Sequence, residues 1–169
     1  VLNGINNVIS SAMFRFAPTQ SRGELFDFYP VEISREAIRP GTVIYDPNGH
    51  VAVVYSVDDD GRIRFIDTHP DNSLTRGSYG KRFVRASAPW GAGFKNWRPM
   101  KFVGAEQGAD GTWHGGRVVL APDSELPLRS DEQFFGTEIP RATQWTGAPF
   151  VYKGERLDYY DYVRQAVAK

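Results

Sequence analysis

The sequence contains no cysteine. That excludes disulfides, thiolate metal sites and a cysteine nucleophile within these 169 residues. There is no excess charge of either sign, because twenty Lys and Arg balance twenty Asp and Glu. Nothing electrostatic therefore favours nucleic acid or an anionic membrane as a partner. No apolar run is long enough to span a bilayer, and internal repeats and low-complexity tracts are absent. Histidine is scarce, with only three residues, so any imidazole chemistry falls on His50, His69 or His114. What is abundant is apolar: 41% hydrophobic and 14% aromatic residues suit a globular chain with a sizeable core.

The chain opens with Val1-Leu2-Asn3, without an initiator Met or a signal peptide, and closes in a helix-like segment. Both ends suggest a piece of a longer polypeptide, such as a mature form or a processed fragment. Ile5, Val8, Ile9, Ala12, Met13 and Phe16 recur at helical spacing, so residues 5–16 are expected to form an amphipathic helix ended by Pro18. Thr42-Val43-Ile44-Tyr45 reads as a strand, followed by the turn Asp46-Pro47-Asn48-Gly49. Residues 50–57 form a second strand, Asp58-Asp59-Asp60-Gly61 a turn, and residues 62–67 a third strand. The second strand is apolar on both faces, which predicts a central place in an antiparallel sheet. Irregular chain follows His69, with a further short strand at residues 81–85 and an aromatic loop at 88–99. Residues 1–103 are read as the core. Residues 104–169 are read as an extension with little regular structure, ending in a helix over 157–168 that Asp158 caps.

The hairpin suggests a site. If Val57 pairs with Arg62, paired positions sum to 119, so His50 lies opposite His69 and Asp67 opposite Ala52, on the face that carries His50. A one-residue change in the loop would break that registry. An imidazole beside a carboxylate and a second imidazole is an arrangement that orients a general base. The neighbour fixes one ring nitrogen, and the other faces a reacting group.

The runs Pro40-Gly41-Thr42-Val43-Ile44-Tyr45, Gly49-His50-Val51-Ala52-Val53-Val54 and Asp60-Gly61-Arg62-Ile63-Arg64-Phe65-Ile66-Asp67 resemble the core of bacterial cell-wall cysteine peptidases of the NlpC and CHAP types. The resemblance covers residues 40–69. It implies an α+β papain-like fold, with a central antiparallel sheet and an N-terminal helix. It also implies cleavage of amide bonds in peptidoglycan peptides and a periplasmic or extracellular location. By position, His50 matches the base, Asp67 the acid of CHAP-type members, and His69 their amide or the third histidine of NlpC-type members. Two departures stand out. Thr42 occupies a position usually held by Asp, and the cysteine that heads an upstream helix, activated by helix amides and imidazolium, is missing. Three readings stay open. The cysteine lies before Val1 on another segment of the same precursor, the protein is an inactive binding or structural relative, or Ser10 or Ser11 serves as nucleophile or marks a substituted cysteine.

Each candidate has a plainer reading. A histidine after glycine at a strand start is often structural, Asp67 would serve as a turn acceptor, and His69 as an ordinary loop residue. His114 has no partner at a recognisable spacing. The run Asp58-Asp59-Asp60 lacks the spaced ligands of a calcium loop and reads as a solvated turn. A zinc site from His50, His69, His114 and Asp67 is the weaker reading, and no metal or cofactor is expected. Trp90, Phe94 and Trp97 are candidate groove residues for a peptide or sugar, against a role in packing. Arg76, Lys81, Arg82 and Arg85 form a modest basic group, read by default as a solvated strand face.

Overall fold

The computed structural model describes residues 27–47, 49–69 and 71–169. Most of their regular structure is extended. The strands are β1 (Phe28–Pro30), β2 (Val43–Tyr45), β3 (Val51–Val57), β4 (Ile63–Thr68), β5 (Leu74–Ser78), β6 (Gly93–Trp97), β7 (Met100–Gln107), β8 (Trp113–Leu120), β9 (Phe150–Tyr152) and β10 (Glu155–Leu157). Six of them make one sheet in the order β1-β6-β2-β3-β4-β5, while β7 pairs with β8 and β9 with β10. Every pairing is antiparallel.

This overturns the α+β papain-like expectation. The described chain is predominantly antiparallel sheet, and its two α-helices, Glu132–Phe135 and Tyr159–Ala166, both lie beyond residue 130. The physical reason is that the resembling residues, 40–69, specify three strands and two turns, and a local strand pattern does not dictate what packs against it. The helix expected over residues 5–16, with Ser10 and Ser11, lies outside the described residues.

Two further expectations change. Residues 104–157 hold the second half of β7 and all of β8, β9 and β10, more regular structure than the composition predicts. Their glycines look like loop composition, yet they serve the ribbon. Gly116 adopts φ +72°, and a Cβ there would lie 2.7 Å from the Ala105 amide nitrogen, so only glycine lets β8 close on β7 at that point. The segment at 81–85 is not a strand, whereas β5 and β6 arise in stretches read as irregular.

The core lies against one face of the six-stranded sheet. Alternation along the strands puts Ile44, Ala52, Val54, Ile63, Phe65 and Phe94 on that face, clustered with Tyr159, Tyr162 and Val163 of the C-terminal helix. Each such burial contributes about 1.5–3 kcal/mol for the larger side chains. Asp158 caps that helix as the sequence predicts, accepting from the Tyr160 and Asp161 amides at 2.9 Å. The helix itself starts two residues later than expected, because Leu157 belongs to β10. Gln133 ties the other helix to the sheet. Its amide nitrogen donates to the Val31 and Phe94 carbonyls, and its Oε1 accepts from the Phe94 amide. A fully buried amide satisfied in this way joins the elements without an orphaned polar group.

One turn recurs four times among the described residues. At Asp46/His50, Asp58/Arg62, His69/Ser73 and Gly108/Thr112, the first residue's amide donates to the last residue's carbonyl. The residue before the last donates back to the first. That penultimate residue has positive φ in each case: Gly49, Gly61, Asn72 and Gly111. This is the three-residue hairpin loop with a left-handed final position, and Gly or Asn is what such a position requires.

Candidate functional site

His50 owes its place to the first of these turns. Gly49 at φ +94° reverses the chain, and the His50 carbonyl accepts from the Asp46 amide at 2.9 Å. The imidazole therefore sits at the mouth of β3. β3 runs inside the sheet between β2 and β4, but only one of its faces enters the core. Ala52 and Val54 are buried, whereas Val53 is 39% and Tyr55 43% exposed.

Asp67 reaches His50 by a route the sequence did not show. The loop after β3 holds three residues, not four, so Val57 pairs with Ile63 rather than Arg62. Pairs near the turn thus sum to 120. A bulge between Val54 and Ser56 then adds one residue to β3, and Val54/Phe65, Val53/Ile66 and Ala52/Asp67 return to a sum of 119. Two one-residue offsets cancel. Without the bulge, Asp67 would point to the opposite face of the sheet.

His50 Nε2 and Asp67 Oδ2 form a hydrogen bond, and the Thr75 hydroxyl donates to Asp67 Oδ1. His69 Nε2 lies 3.2 Å from Thr75 Oγ1 and 3.9 Å from Asp67 Oδ1. The His50 and His69 rings are nearly parallel, 5.7 Å apart. The Asp67 side chain is only 7% exposed, whereas that of His50 is 37% exposed, so the acid is sheltered and the base is reachable. Burial pushes the Asp67 carboxyl up. The Thr75 and His50 hydrogen bonds and the nearby His50 and His69 imidazoles outweigh it and hold the group below the usual carboxylate range. An ionised Asp67 only accepts, so His50 carries a proton on Nε2, and in the neutral imidazole Nδ1 presents a lone pair. No described residue hydrogen-bonds Nδ1. A lone pair on an imidazole whose other nitrogen is clamped by a carboxylate is suited to taking a proton from a nucleophile or water.

The structure thus brings His50, Asp67 and His69 together. Thr75 was not anticipated. Its signal was the run His69-Pro70-Asp71-Asn72-Ser73, which, read as a three-residue turn, pairs Thr75 with Asp67. Trp97 is not part of the group. It ends β6 at the end of the sheet away from His50, packs against Phe28 with the ring centroids 4.1 Å apart and the planes tilted by 47°, and alternates to the other face. Trp90 closes a 3-10 turn over Ala88–Trp90, and its side chain lies outside the described part. His114 sits on β8 opposite Glu106.

Most of the remaining charged candidates have structural partners. The aspartates of the run at 58–60 are not merely solvated. Asp58 pairs with Arg64, Asp59 with Arg35 and Lys169, and Asp60 with Arg62 and Arg164. The basic group is dispersed. Lys81 pairs with Asp158, Arg82 lies over Phe65, and Arg85 lies over Phe150 and Tyr159. Among the described residues, no three His, Cys, Asp or Glu side chains are arranged to hold a metal ion. No helix among them is long and apolar enough to cross a membrane.

No family model, curated protein or solved structure matches this chain.

Proposed function

We propose that His50 is the general base of an amide-bond hydrolase of the cell-wall peptidase or amidase type, with Asp67 orienting it. The observation that carries this reading is the clamp on Asp67. A sheltered carboxylate, held charged by two side-chain hydrogen bonds, fixes the tautomer of an imidazole that remains reachable. The reading rests on the site and on the motifs of residues 40–69, not on the fold.

In this reading His50 Nδ1 removes the proton from a cysteine thiol supplied by another segment of the same precursor. The thiolate attacks the scissile carbonyl and forms an acyl-enzyme, and the imidazolium returns its proton to the leaving amine. Water, deprotonated by the same nitrogen, then releases the acid. The substrate is a peptide of peptidoglycan origin, which sets the site of action in the periplasm or outside the cell. The absence of cysteine from these residues favours a second reading, a binding or structural module that lacks the chemistry.

The test is turnover by the full-length gene product on peptidoglycan-derived peptides, measured as release of free amine. His50→Ala should lower turnover by about 10²–10⁴-fold, the usual contribution of a positioned base, with an unchanged circular dichroism spectrum. Equal turnover by the variant would remove His50 from the mechanism. No turnover by either protein would leave the module reading in possession.

A further inference from the structure

We infer that Thr75 is a positioning residue for the His50 and Asp67 pair, and that His69 fixes the direction of the Thr75 hydroxyl. This rests on the reading of His50 as a base. The placement follows from the fold. Asp67 and Thr75 are direct cross-strand partners in β4 and β5, and the turn that brings them together is closed by His69 and Ser73, with Asn72 at φ +66°. His69 therefore stands two residues from Asp67 on one side and two pairs from Thr75 on the other, on the same face as both.

The hydrogen-bond accounting sets the direction. A hydroxyl has one proton to give and two lone pairs with which to receive. Thr75 gives its proton to Asp67 Oδ1. The 3.2 Å contact with His69 Nε2 is then completed from the histidine side, so His69 carries a proton on Nε2. Donation runs one way, from His69 through Thr75 to Asp67, and His50 Nε2–H meets the other carboxylate oxygen. With both oxygens engaged, the carboxylate plane cannot turn, and Oδ2 stays aimed at His50. A His69 protonated only on Nδ1 would instead present a bare nitrogen to Thr75 and compete with Asp67 for its proton. The carboxylate wins that competition while it is ionised, since bonds to a charged acceptor are the stronger ones. The titratable groups around this relay are His50, Asp67, His69 and Asp71, the last close enough to His69 to feel its charge.

Without the Thr75 bond, a carboxylate that is only 7% exposed has an unpaired oxygen. It must rotate or admit water, and either change loosens its hold on His50.

Nitrogen-15 NMR of the full chain tests this directly. Wild-type protein at neutral pH should show His69 protonated on Nε2 and a His50 Nε2 proton protected from solvent. Thr75→Val keeps the shape and the β-branch but removes the hydroxyl. It should speed solvent exchange of the His50 proton about tenfold or more and abolish the His69 tautomer preference, with the backbone amide spectrum otherwise retained. Thr75→Ser should restore both signals. Should Thr75→Val fail to fold, the serine variant and His69→Phe carry the test, since His69→Phe should loosen the same proton. An unchanged His50 proton in Thr75→Val or in His69→Phe would overturn the inference, and so would a wild-type His69 protonated on Nδ1. None of these signals depends on turnover. A Thr75 effect in a protein without hydrolase activity upholds the positioning role and discards the base.

Discussion

The end of the sheet that carries His50 and the β7–β8 ribbon are built on the same turn and end in opposite circumstances. At Asp46/His50, at His69/Ser73 and at Gly108/Thr112 the chain reverses through identical backbone hydrogen bonds. Near His50, β3 and β4 lose one face to the core, with Ala52, Val54, Ile63 and Phe65 buried, while the edge strand β5 stays largely exposed. In the ribbon, Met100, Phe102, Trp113 and Val118 remain more than half exposed, and the described strands β7 and β8 hydrogen-bond to no strand but each other. The turn sets local register in both places. Burial then decides whether that register is fixed tightly enough to hold a functional group, because an isolated two-stranded ribbon is marginal in water and a many-stranded sheet on a core is not.

Paired substitutions sharpen that contrast. The largest difference should come from apolar truncation. Phe94, fully buried and 4.7 Å from the Tyr79 ring, should cost about 3–5 kcal/mol on Phe94→Ala. Phe102→Ala on the ribbon should cost less than about 1 kcal/mol, both read from urea unfolding. Equal costs would mean that the ribbon is buried in solution.

Alanine at the left-handed turn position should next separate the six-stranded sheet, at its end away from His50, from the ribbon. Gly61 has φ +78°, and a Cβ there would fall 1.8 Å from the Arg164 carbonyl oxygen. Gly111 has φ +82° and open space around it. Gly111→Ala should cost about 1–2 kcal/mol, the conformational penalty alone. Gly61→Ala should cost distinctly more, because the C-terminal helix must also retreat. A smaller cost at Gly61 would show that the helix does not hold the turn in solution.

The smallest effect is a matter of pH. Asp67 and Asp110 both have carboxyls below the usual range. In Asp67, burial opposes the shift and the Thr75 and His50 contacts overcome it. In Asp110 the Thr112 amide and hydroxyl lower it, on a fully exposed side chain. A carboxyl depressed in the folded state binds fewer protons there than in the unfolded chain. Its contribution is therefore complete above the ordinary carboxylate pKa of about 4 and is lost as pH falls through the lower folded value. The stability gap between wild type and Asp67→Asn should be present at about pH 5 and close progressively below about pH 4. Asp110→Asn should differ little at any pH. A gap for Asp67→Asn that widened in acid would contradict the sign of the shift.

Part of the site was legible without coordinates. The β-branched run at residues 51–57 and the glycine turns on either side define the meander and set His50 at a strand mouth. Facing Asp67 toward His50 was also expected, but on a register that was wrong at the turn and right at the site. The bulge that reconciles the two has no sequence signature, since Tyr55 is an ordinary strand residue there. Thr75 was missed because Pro70 and Asn72 read as the end of order rather than as the turn of a hairpin. Trp97 was misplaced because aromatic residues in a Gly- and Pro-rich stretch look like a loop, and nothing local says that residues 93–97 form a strand lying between β1 and β2.

By itself the sequence determined the turns and the alternation within each strand. Those depend on φ angles and on side chains a few residues apart. Only the tertiary structure decided the class of the fold, the order of the strands and the company of Asp67. Each of these depends on which distant surfaces exclude water together, and a short motif carries no record of that.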